Sequence, residues 1–180
     1  MISILTILPE GFEEIEAITP IDLWRRAEFD VTVVSLDSKT KVTGRSDITV
    51  QTDQTLSAVN TAQIFDLLFL PGGPGVARLR KSPEVRELLD LHFAAGKWIA
   101  AICAAPLVLH DAGLLNGRNF TAHPSTASEL GLNPEAPAVV VDKRIITSRG
   151  AGTALPFALR VIELLGGENR AEEIALSIST

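Results

Sequence analysis

The sequence predicts an α/β fold built on a doubly wound, mostly parallel sheet. Short apolar runs rich in β-branched residues alternate along the chain with longer segments of helical period, a pattern typical of repeated βαβ units. The chain has 180 residues, of which 46% are hydrophobic and 21% charged, as in ordinary folded domains. Because no repeat, low-complexity tract or linker divides it, we expect residues 1–180 to form one domain.

Strands are predicted wherever an apolar run is short and bounded by turn residues. Seven such runs occur, at residues 2–8, 30–36, 65–70, 98–103, 119–122, 138–141 and 145–148. The run 98–103, WIAAIC, is apolar almost throughout, which favours a central position in the sheet. Hairpins are predicted at 41–53 and 139–147, where alternating segments flank turn residues.

Helices are predicted between the strands from apolar residues at helical spacing. Residues 13–27 carry this pattern, and residues 82–96 begin with a Ser cap followed by Pro and end on Gly96. Three more helical segments are expected at 104–115, 153–167 and 169–178. In such a fold the ligand site lies where the carboxyl ends of strands meet the amino ends of helices.

The composition excludes several classes of function. A net charge of −6 leaves no basic face for a polyanion, so we expect no nucleic acid partner. No stretch approaches the roughly 20 apolar residues that cross a bilayer, and the opening MISILTIL lacks the basic start of a signal peptide. A single cysteine cannot form an internal disulfide, which predicts a reducing cytoplasm.

That cysteine, Cys103, ends the predicted strand 98–103, and a helix begins directly after it. A strand, turn and helix around a nucleophile form an elbow, and the helix amino end favours a thiolate. A buried free cysteine can equally be a small core residue. On position alone the two interpretations are equally open.

The motif LPGGPG at 70–75 follows another strand that should end at the same edge of the sheet. Gly72 and Gly73 could turn backbone N–H groups toward Cys103 and, with the amide of Ala104, form an oxyanion hole. An ordinary strand-to-loop turn would have the same composition, and the motif lacks the ending of a P-loop.

The first predicted helix opens with three glutamates in GFEEIEA. We expect Glu13 and Glu14 to face solvent, as acidic residues of a first helical turn usually do. Pro20 removes the helical hydrogen bond to the carbonyl of Glu16, so we expect a kink there and an inward turn of Glu16. Burial beside a thiolate would push that carboxyl toward protonation and make it a general acid or base near neutral pH.

The histidines do not form a metal-binding pattern, because the three are scattered and no second cysteine assists them. His123 follows the predicted strand 119–122 and could orient or deprotonate the thiol. His92 and His110 fall within helices and are expected to have structural or surface roles. The glycine-rich segment 148–156 enters a helix and is a possible anion-binding nest.

Five motifs in this order resemble the ThiJ/PfpI superfamily, and within it the branch of the parkinsonism-associated protein deglycase DJ-one and its bacterial relatives. They are GFEEIEA, FLPGGPG, AAICAAP, TAHP and TSRGAGT, and they span nearly the whole chain. The resemblance implies a flavodoxin-like fold of the class I glutamine amidotransferase type, with helices on both faces, and a homodimer. It also implies cofactor-independent activities: conversion of methylglyoxal to lactate, repair of early glycation adducts, and a redox-sensitive cysteine.

The resemblance implies a role for individual residues. Cys103 is the expected nucleophile, Glu16 its protonated carboxyl partner, and His123 a near neighbour of the thiol. Gly73 and Ala104 are the expected oxyanion donors. Two arginines are expected to face substrate, namely Arg26 and, with its register and role open, Arg45.

Two positions depart from the family pattern. Ala104 stands where the protease-like branch has histidine, which argues against a Cys-His peptidase or amidase. Ala105 replaces the usual glycine, and its methyl group is expected to crowd the pocket or shift the helix entry. Two functions remain open from the sequence: an enzyme acting on dicarbonyls or their protein adducts, and a redox-responsive stress or chaperone protein without turnover.

Overall fold

Nine strands and seven α-helices are present in the computed structural model, which describes residues 1–60, 63–132 and 135–180. The strands are β1 Ser3–Leu8, β2 Asp30–Ser35, β3 Lys41–Thr43, β4 Thr49–Gln51, β5 Gln54–Thr55, β6 Leu67–Leu70, β7 Trp98–Ile102, β8 Val139–Asp142 and β9 Ile145–Ser148. The helices are α1 Glu14–Arg26, α2 Val76–Leu79, α3 Pro83–Ala94, α4 Pro106–Asp111, α5 Ala127–Leu130, α6 Ala154–Gly166 and α7 Glu168–Ser177. Within these residues no helix has the length and apolarity needed to cross a membrane.

Seven of these strands form one sheet, in the order β5-β2-β1-β6-β7-β9-β8. All neighbours are parallel except β8 and β9, which form an antiparallel hairpin. Strands β3 and β4 form a separate antiparallel hairpin. The mostly parallel sheet and both hairpins therefore confirm the sequence prediction.

Helices cover both faces of the sheet and bury a separate apolar cluster on each. On one face α1 packs against α6, and Trp24 lies at their contact, fully buried. Its indole N–H donates to the carbonyl of Ala158 at 3.1 Å, and its ring meets Phe69 edge-on at 5.0 Å between centroids. This hydrogen bond and ring contact fix α1 on the sheet, which in turn fixes the glutamates at its amino end.

Helix ends follow the sequence signals in most places. Ser82 caps α3 by accepting a hydrogen bond from the amide of Val85. Pro20 lies inside α1 and does not end that helix. Helix α4 is shorter than the predicted 104–115, because the chain leaves the helix after Asp111 and Gly113 takes a left-handed conformation with φ of 73°.

The predicted strand at 119–122 is wrong, since this segment joins no strand ladder. The amide of Thr121 donates instead to the side-chain hydroxyl of Thr147 at 2.9 Å. Just beyond it, the amide of His123 donates to the carbonyl of Cys103 at 2.8 Å. The segment thus lies across the ends of β7 and β9. A short apolar sequence looks the same whether it packs in this way or pairs as a strand, which is why the prediction fails here.

Candidate active site

Four loops that follow parallel strands meet at one edge of the sheet. The strands are β1, β6, β7 and β9, which end at Leu8, Leu70, Ile102 and Ser148. Because parallel strands direct their carboxyl ends to the same edge, residues far apart in sequence come together there. Three of these loops bring Gly72, Cys103 and Gly150 together, and the loop after β1 leads into the first turn of α1, which adds Glu16 to the group.

Cys103 occupies a sharp turn between β7 and α4. It has φ of 66°, a left-handed conformation that costs a non-glycine residue about 1–2 kcal/mol. Its amide donates to the carbonyl of Ser148 at 2.9 Å, and its carbonyl accepts from His123, so both sides of the turn are held. The strained turn leaves the sulfur only partly buried, as expected for a nucleophile elbow.

Two backbone amides donate hydrogen bonds to the sulfur of Cys103. They belong to Ala104, the next residue, and to Gly73, which follows β6. Gly73 has φ of 97°, and a Cβ there would lie 2.6 Å from the amide nitrogen of Glu13, so the loop requires glycine. Gly72 behaves differently from the sequence expectation, because its amide donates to Oε2 of Glu16 at 3.0 Å rather than toward an oxyanion.

Glu16 lies beneath the sulfur and is 1% exposed. Its carboxyl group shares a hydrogen bond with Cys103 and accepts from the amides of Gly72 and Ala151. Its inward position agrees with the sequence analysis. The residue is held there by Glu13, whose carboxylate caps α1 and accepts from the amide of Glu16 at 2.8 Å.

Both members of this pair bind protons more tightly than usual. Burial raises the pKa of Glu16 to about 7, against the lowering effect of its hydrogen bond with Cys103. Burial also raises the pKa of Cys103 to about 12, and the charge of Glu16 adds to the rise. The amides of Ala104 and Gly73 lower it, as the helix start predicts, but burial and the carboxylate outweigh them. A thiolate at Cys103 therefore requires that Glu16 take up the thiol proton.

His123 lies beside the site with its side chain exposed. Its Nδ1 accepts from the amide of Ser125 at 3.2 Å, and an amide nitrogen can only donate. The neutral ring therefore carries its proton on Nε2 and cannot accept one there. This geometry favours His123 as a hydrogen-bond donor rather than as the base that deprotonates the thiol.

Arg26 lies apart from this group within the single chain. Arg26 is in the last turn of α1, ten residues after Glu16, which corresponds to about 15 Å along a helix. Its guanidinium pairs with Asp22 at 2.9 Å. Arg45 lies in the turn between β3 and β4 with an exposed side chain, and its amide donates to the carbonyl of Phe12 at 2.8 Å. Their contact with substrate stays a prediction.

The expectation that Glu14 faces solvent is wrong, whereas Glu13 is half-buried at the helix start. Glu14 is 8% exposed because the β3–β4 turn covers it, and its Oε1 accepts from the amide of Ser46 at 2.7 Å. The hairpin is attached to the loop before α1 by further backbone bonds, including one from Gly11 to Thr43 at 2.8 Å. The glutamates thus fix the hairpin and the helix end rather than extending into solvent.

Ala105 does not crowd the site. It is fully buried in the apolar cluster on the α3 and α4 face, with helical φ of −63°. Its methyl group therefore adds core packing, and α4 begins normally at Pro106. The other histidines also have the expected roles: His110 is exposed, and buried His92 bonds through both ring nitrogens, to Leu88 and Phe65.

Gly150 and Ala151 are site residues that the sequence analysis did not identify. The amide of Ala151 donates to Glu16, and Gly150 lies against Cys103, Glu16 and His123. The sequence does carry a signal for them, since the segment 148–156 is a glycine-rich helix entry after a predicted strand. What the sequence lacked was the order of strands, which places β9 directly beside β7.

A separate cavity of about 360 Å³ lies at the opposite edge of the sheet. Its lining includes Asp66, Lys97, Trp98 and Arg144, with the Arg144 guanidinium 4.7 Å from the Trp98 ring. Its lining has no cysteine, and Lys97 is paired with Asp66 at 2.9 Å, so the Cys103 edge is the better candidate for chemistry. Among the described residues no three metal-ligating side chains cluster closely enough to hold an ion.

The fold and site together define a flavodoxin-like α/β protein with a cysteine on a nucleophile elbow and a buried carboxyl partner. The chain belongs to the DJ-1/PfpI family, whose model matches residues 2–164. It is 40% identical over 177 residues to protein dj-1beta of Drosophila melanogaster, covering 96% of this chain and 94% of that protein.

Two further similarities bear on function. The glutathione-independent glyoxalase DJR-1.2 of Caenorhabditis elegans is 33% identical over 175 residues, covering 96% of this chain and 92% of the relative. The oxidized DJ-1 structure from Toxoplasma gondii superposes with a TM-score of 0.93 at 36% identity, covering 99% of this chain and 98% of that one.

Proposed function

We propose that this protein is a cofactor-independent cysteine enzyme of the glyoxalase or deglycase type. Its substrates are methylglyoxal, glyoxal or their early adducts on proteins. The observation that carries the proposal is the surroundings of one sulfur: Cys103 has a buried carboxyl group on one side and two amide donors on the other. The name of the nematode relative, a glutathione-independent glyoxalase, supports the same reaction class.

The first step is attack of the sulfur on the aldehyde carbon of the substrate. Glu16 takes the thiol proton, the C–S bond forms, and the carbonyl π electrons move to oxygen. The amides of Gly73 and Ala104, which act on the sulfur in the free protein, then stabilise that oxyanion. Glu16 then returns the proton to the oxygen, which gives a hemithioacetal and restores the carboxylate.

The second step is an internal oxidation and reduction of the substrate. Glu16 removes the proton on the sulfur-bearing carbon and delivers it to the neighbouring carbon, while the hydroxyl proton passes to the second oxygen. The first carbon is thereby oxidised to a thioester and the second reduced to an alcohol, so no external oxidant is needed. Water then cleaves the thioester, releasing the hydroxy acid and the free thiol. A carboxyl with a pKa of about 7 suits both directions of transfer.

Replacing Glu16 by Gln tests this mechanism. The amide keeps the size of the side chain but cannot shuttle the proton, so turnover of methylglyoxal should fall at least about 100-fold, the lower end of the usual contribution of acid–base catalysis. Glu172→Gln, at an exposed position on α7, is the matched control and should keep wild-type turnover. Full turnover by the Glu16 variant would falsify the role.

A second function, redox sensing without turnover, is favoured by the same amides. Two oxygens added to the sulfur by a peroxide would find donors on Gly73, Ala104 and a protonated Glu16. The Toxoplasma relative was solved in an oxidized form. Peroxide titration with intact mass separates the two functions: a stable gain of two oxygens without dicarbonyl turnover supports the sensor, and turnover with a thiol that resists mild peroxide excludes it.

We also propose that the protein acts as a homodimer of single-domain chains. Ile15 and Ile18 lie on one face of α1 and are 54% and 41% exposed. Ile48, 56% exposed, lies on the β3–β4 turn that is hydrogen-bonded to the start of that helix. Large apolar side chains exposed on two segments that are hydrogen-bonded to each other support an interface at this end of α1. One unpaired cysteine further supports a reducing compartment such as the cytoplasm.

A further inference from the structure

Gly150 faces the space between the three reactive side chains. A Cβ atom on this residue would lie 3.4 Å from Cδ2 of His123, 3.6 Å from Oε1 of Glu16 and 3.9 Å from Sγ of Cys103. These are ordinary van der Waals distances, so one carbon atom fits there in contact with all three groups.

The main chain at Gly150 is held firmly in this place. Its amide donates to Oγ1 of Thr153 at 3.1 Å, and its carbonyl accepts from the same hydroxyl at 2.8 Å. Thr153 also shares a hydrogen bond of 2.7 Å with the buried Ser148 at the end of β9. The wall that Gly150 forms therefore cannot withdraw without breaking this network.

Neighbouring glycines behave differently. A Cβ on Gly72 would lie only 2.4 Å from Oε2 of Glu16 and 2.6 Å from Cβ of Cys103, so no carbon fits there. A Cβ on Gly152 would meet nothing within 4 Å. Gly150 thus leaves room for one carbon in contact with the reactive groups, whereas Gly72 leaves none and Gly152 opens onto empty space.

We propose that Gly150 limits the size of the acyl group that is bonded to the reacting aldehyde group of the substrate. The inference rests on the proposed function and adds a size limit to it: the substituent of the 2-oxoaldehyde must fit between Cys103, Glu16 and the Gly150 backbone. A side chain at position 150 takes the space that the substrate's methyl group needs. The loss of room for one methyl or methylene group changes specificity about 10- to 200-fold.

Gly150→Ala tests the proposal, with Gly152→Ala as a control on the same loop. Because Gly150 has φ of 158°, a side chain there also strains the backbone, so the test compares two substrates within one variant rather than absolute rates. We expect the Gly150 variant to lose at least tenfold more kcat/KM for methylglyoxal than for glyoxal, while the control keeps the wild-type ratio. An unchanged ratio in the Gly150 variant would overturn the inference, and so would an equal change in the control.

A second readout does not depend on turnover. Cys103 is the sole cysteine, so intact mass reports alkylation at one site. Rates with iodoacetamide and 2-iodopropanamide, each divided by the rate with N-acetylcysteine, should be similar in the wild type. The rate with the branched reagent should fall at least tenfold further in Gly150→Ala. Parallel slowing of both reagents would contradict a size effect.

The wild type gives a third measurement if the variant does not fold. When a phenyl group replaces the methyl group of 2-iodopropanamide, the substituent exceeds the space beside Gly150. The alkylation rate of Cys103, divided by the rate with N-acetylcysteine, should then fall at least tenfold below that of 2-iodopropanamide. An unchanged rate would overturn the inference. Absence of dicarbonyl turnover with size-selective alkylation would refute the proposed function alone. Turnover without any size selectivity would refute the role of Gly150 alone.

Discussion

The carboxyl group of Glu16 shares a hydrogen bond with the sulfur of Cys103, although the two residues follow different strands of the sheet. Glu16 follows β1 and Cys103 follows β7, with β6 between them. Burial raises the pKa of both groups, and the charge of Glu16 raises that of Cys103 further, so their protonation is coupled. The chemical account of this protein depends on that pair.

The raised pKa of Glu16 predicts a pH dependence of folding stability. Between pH 4.5 and about 7 the folded protein keeps a proton that the unfolded chain releases, so the free energy of unfolding falls as pH rises through this window. Each pKa unit corresponds to 1.36 kcal/mol, which makes the contribution about 3 kcal/mol. Urea unfolding between pH 4.5 and 7.5 should show this fall in the wild type and in Glu172→Gln. Glu16→Gln should lack it, and a variant with the wild-type slope would contradict the assignment.

Substitution of Gly72 by Ala should damage both the fold and the site. The new methyl group would overlap the carboxyl of Glu16 and the side chain of Cys103, which lie 2.4 and 2.6 Å from its position. Overpacking of this kind typically costs about 1–3 kcal/mol. Urea unfolding and the rate of Cys103 alkylation measure the two effects. Gly152→Ala, in open space, should change neither; a Gly72 variant as stable as this control would show that the site yields easily.

His123 should be protonated on Nε2 when neutral, because the Ser125 amide occupies Nδ1. Nitrogen chemical shifts of the ring, recorded in two-dimensional NMR spectra above pH 8, distinguish the two tautomers. His110, which is exposed, provides an internal reference in the same spectrum. A proton found on Nδ1 of His123 would restore the ring as a base for the thiol and remove the argument for a donor role.

Charge introduced on the exposed face of α1 should dissociate the proposed dimer. Ile18→Glu places a carboxylate in the apolar surface formed with Ile15 and Ile48, and burying it in an interface would cost several kcal/mol. Sedimentation velocity should give a dimer for the wild type and a monomer for this variant. Leu176→Glu on α7, where the leucine is 70% exposed, should remain dimeric. A monomeric wild type would refute the dimer directly.

Local sequence signals predicted the sheet, both hairpins and the elbow at Cys103, because each depends on short-range pattern. The errors concern contacts made across the chain. Burial of Glu14 depends on the hairpin turn that covers it, and the chain at 119–122 bonds to the Thr147 hydroxyl instead of a strand. Gly150 entered the site only through the neighbouring positions of β7 and β9.

The measurement that tests the central claim most directly is lactate formation from methylglyoxal by the purified protein, without glutathione or metal, beside a Cys103→Ser control. The account predicts turnover in the wild type and its loss in the control, because a serine hydroxyl at the elbow is a far weaker nucleophile than the sulfur. Lactate produced equally by both proteins, or by neither, would contradict the claim that Cys103 and Glu16 form a glyoxalase-type centre.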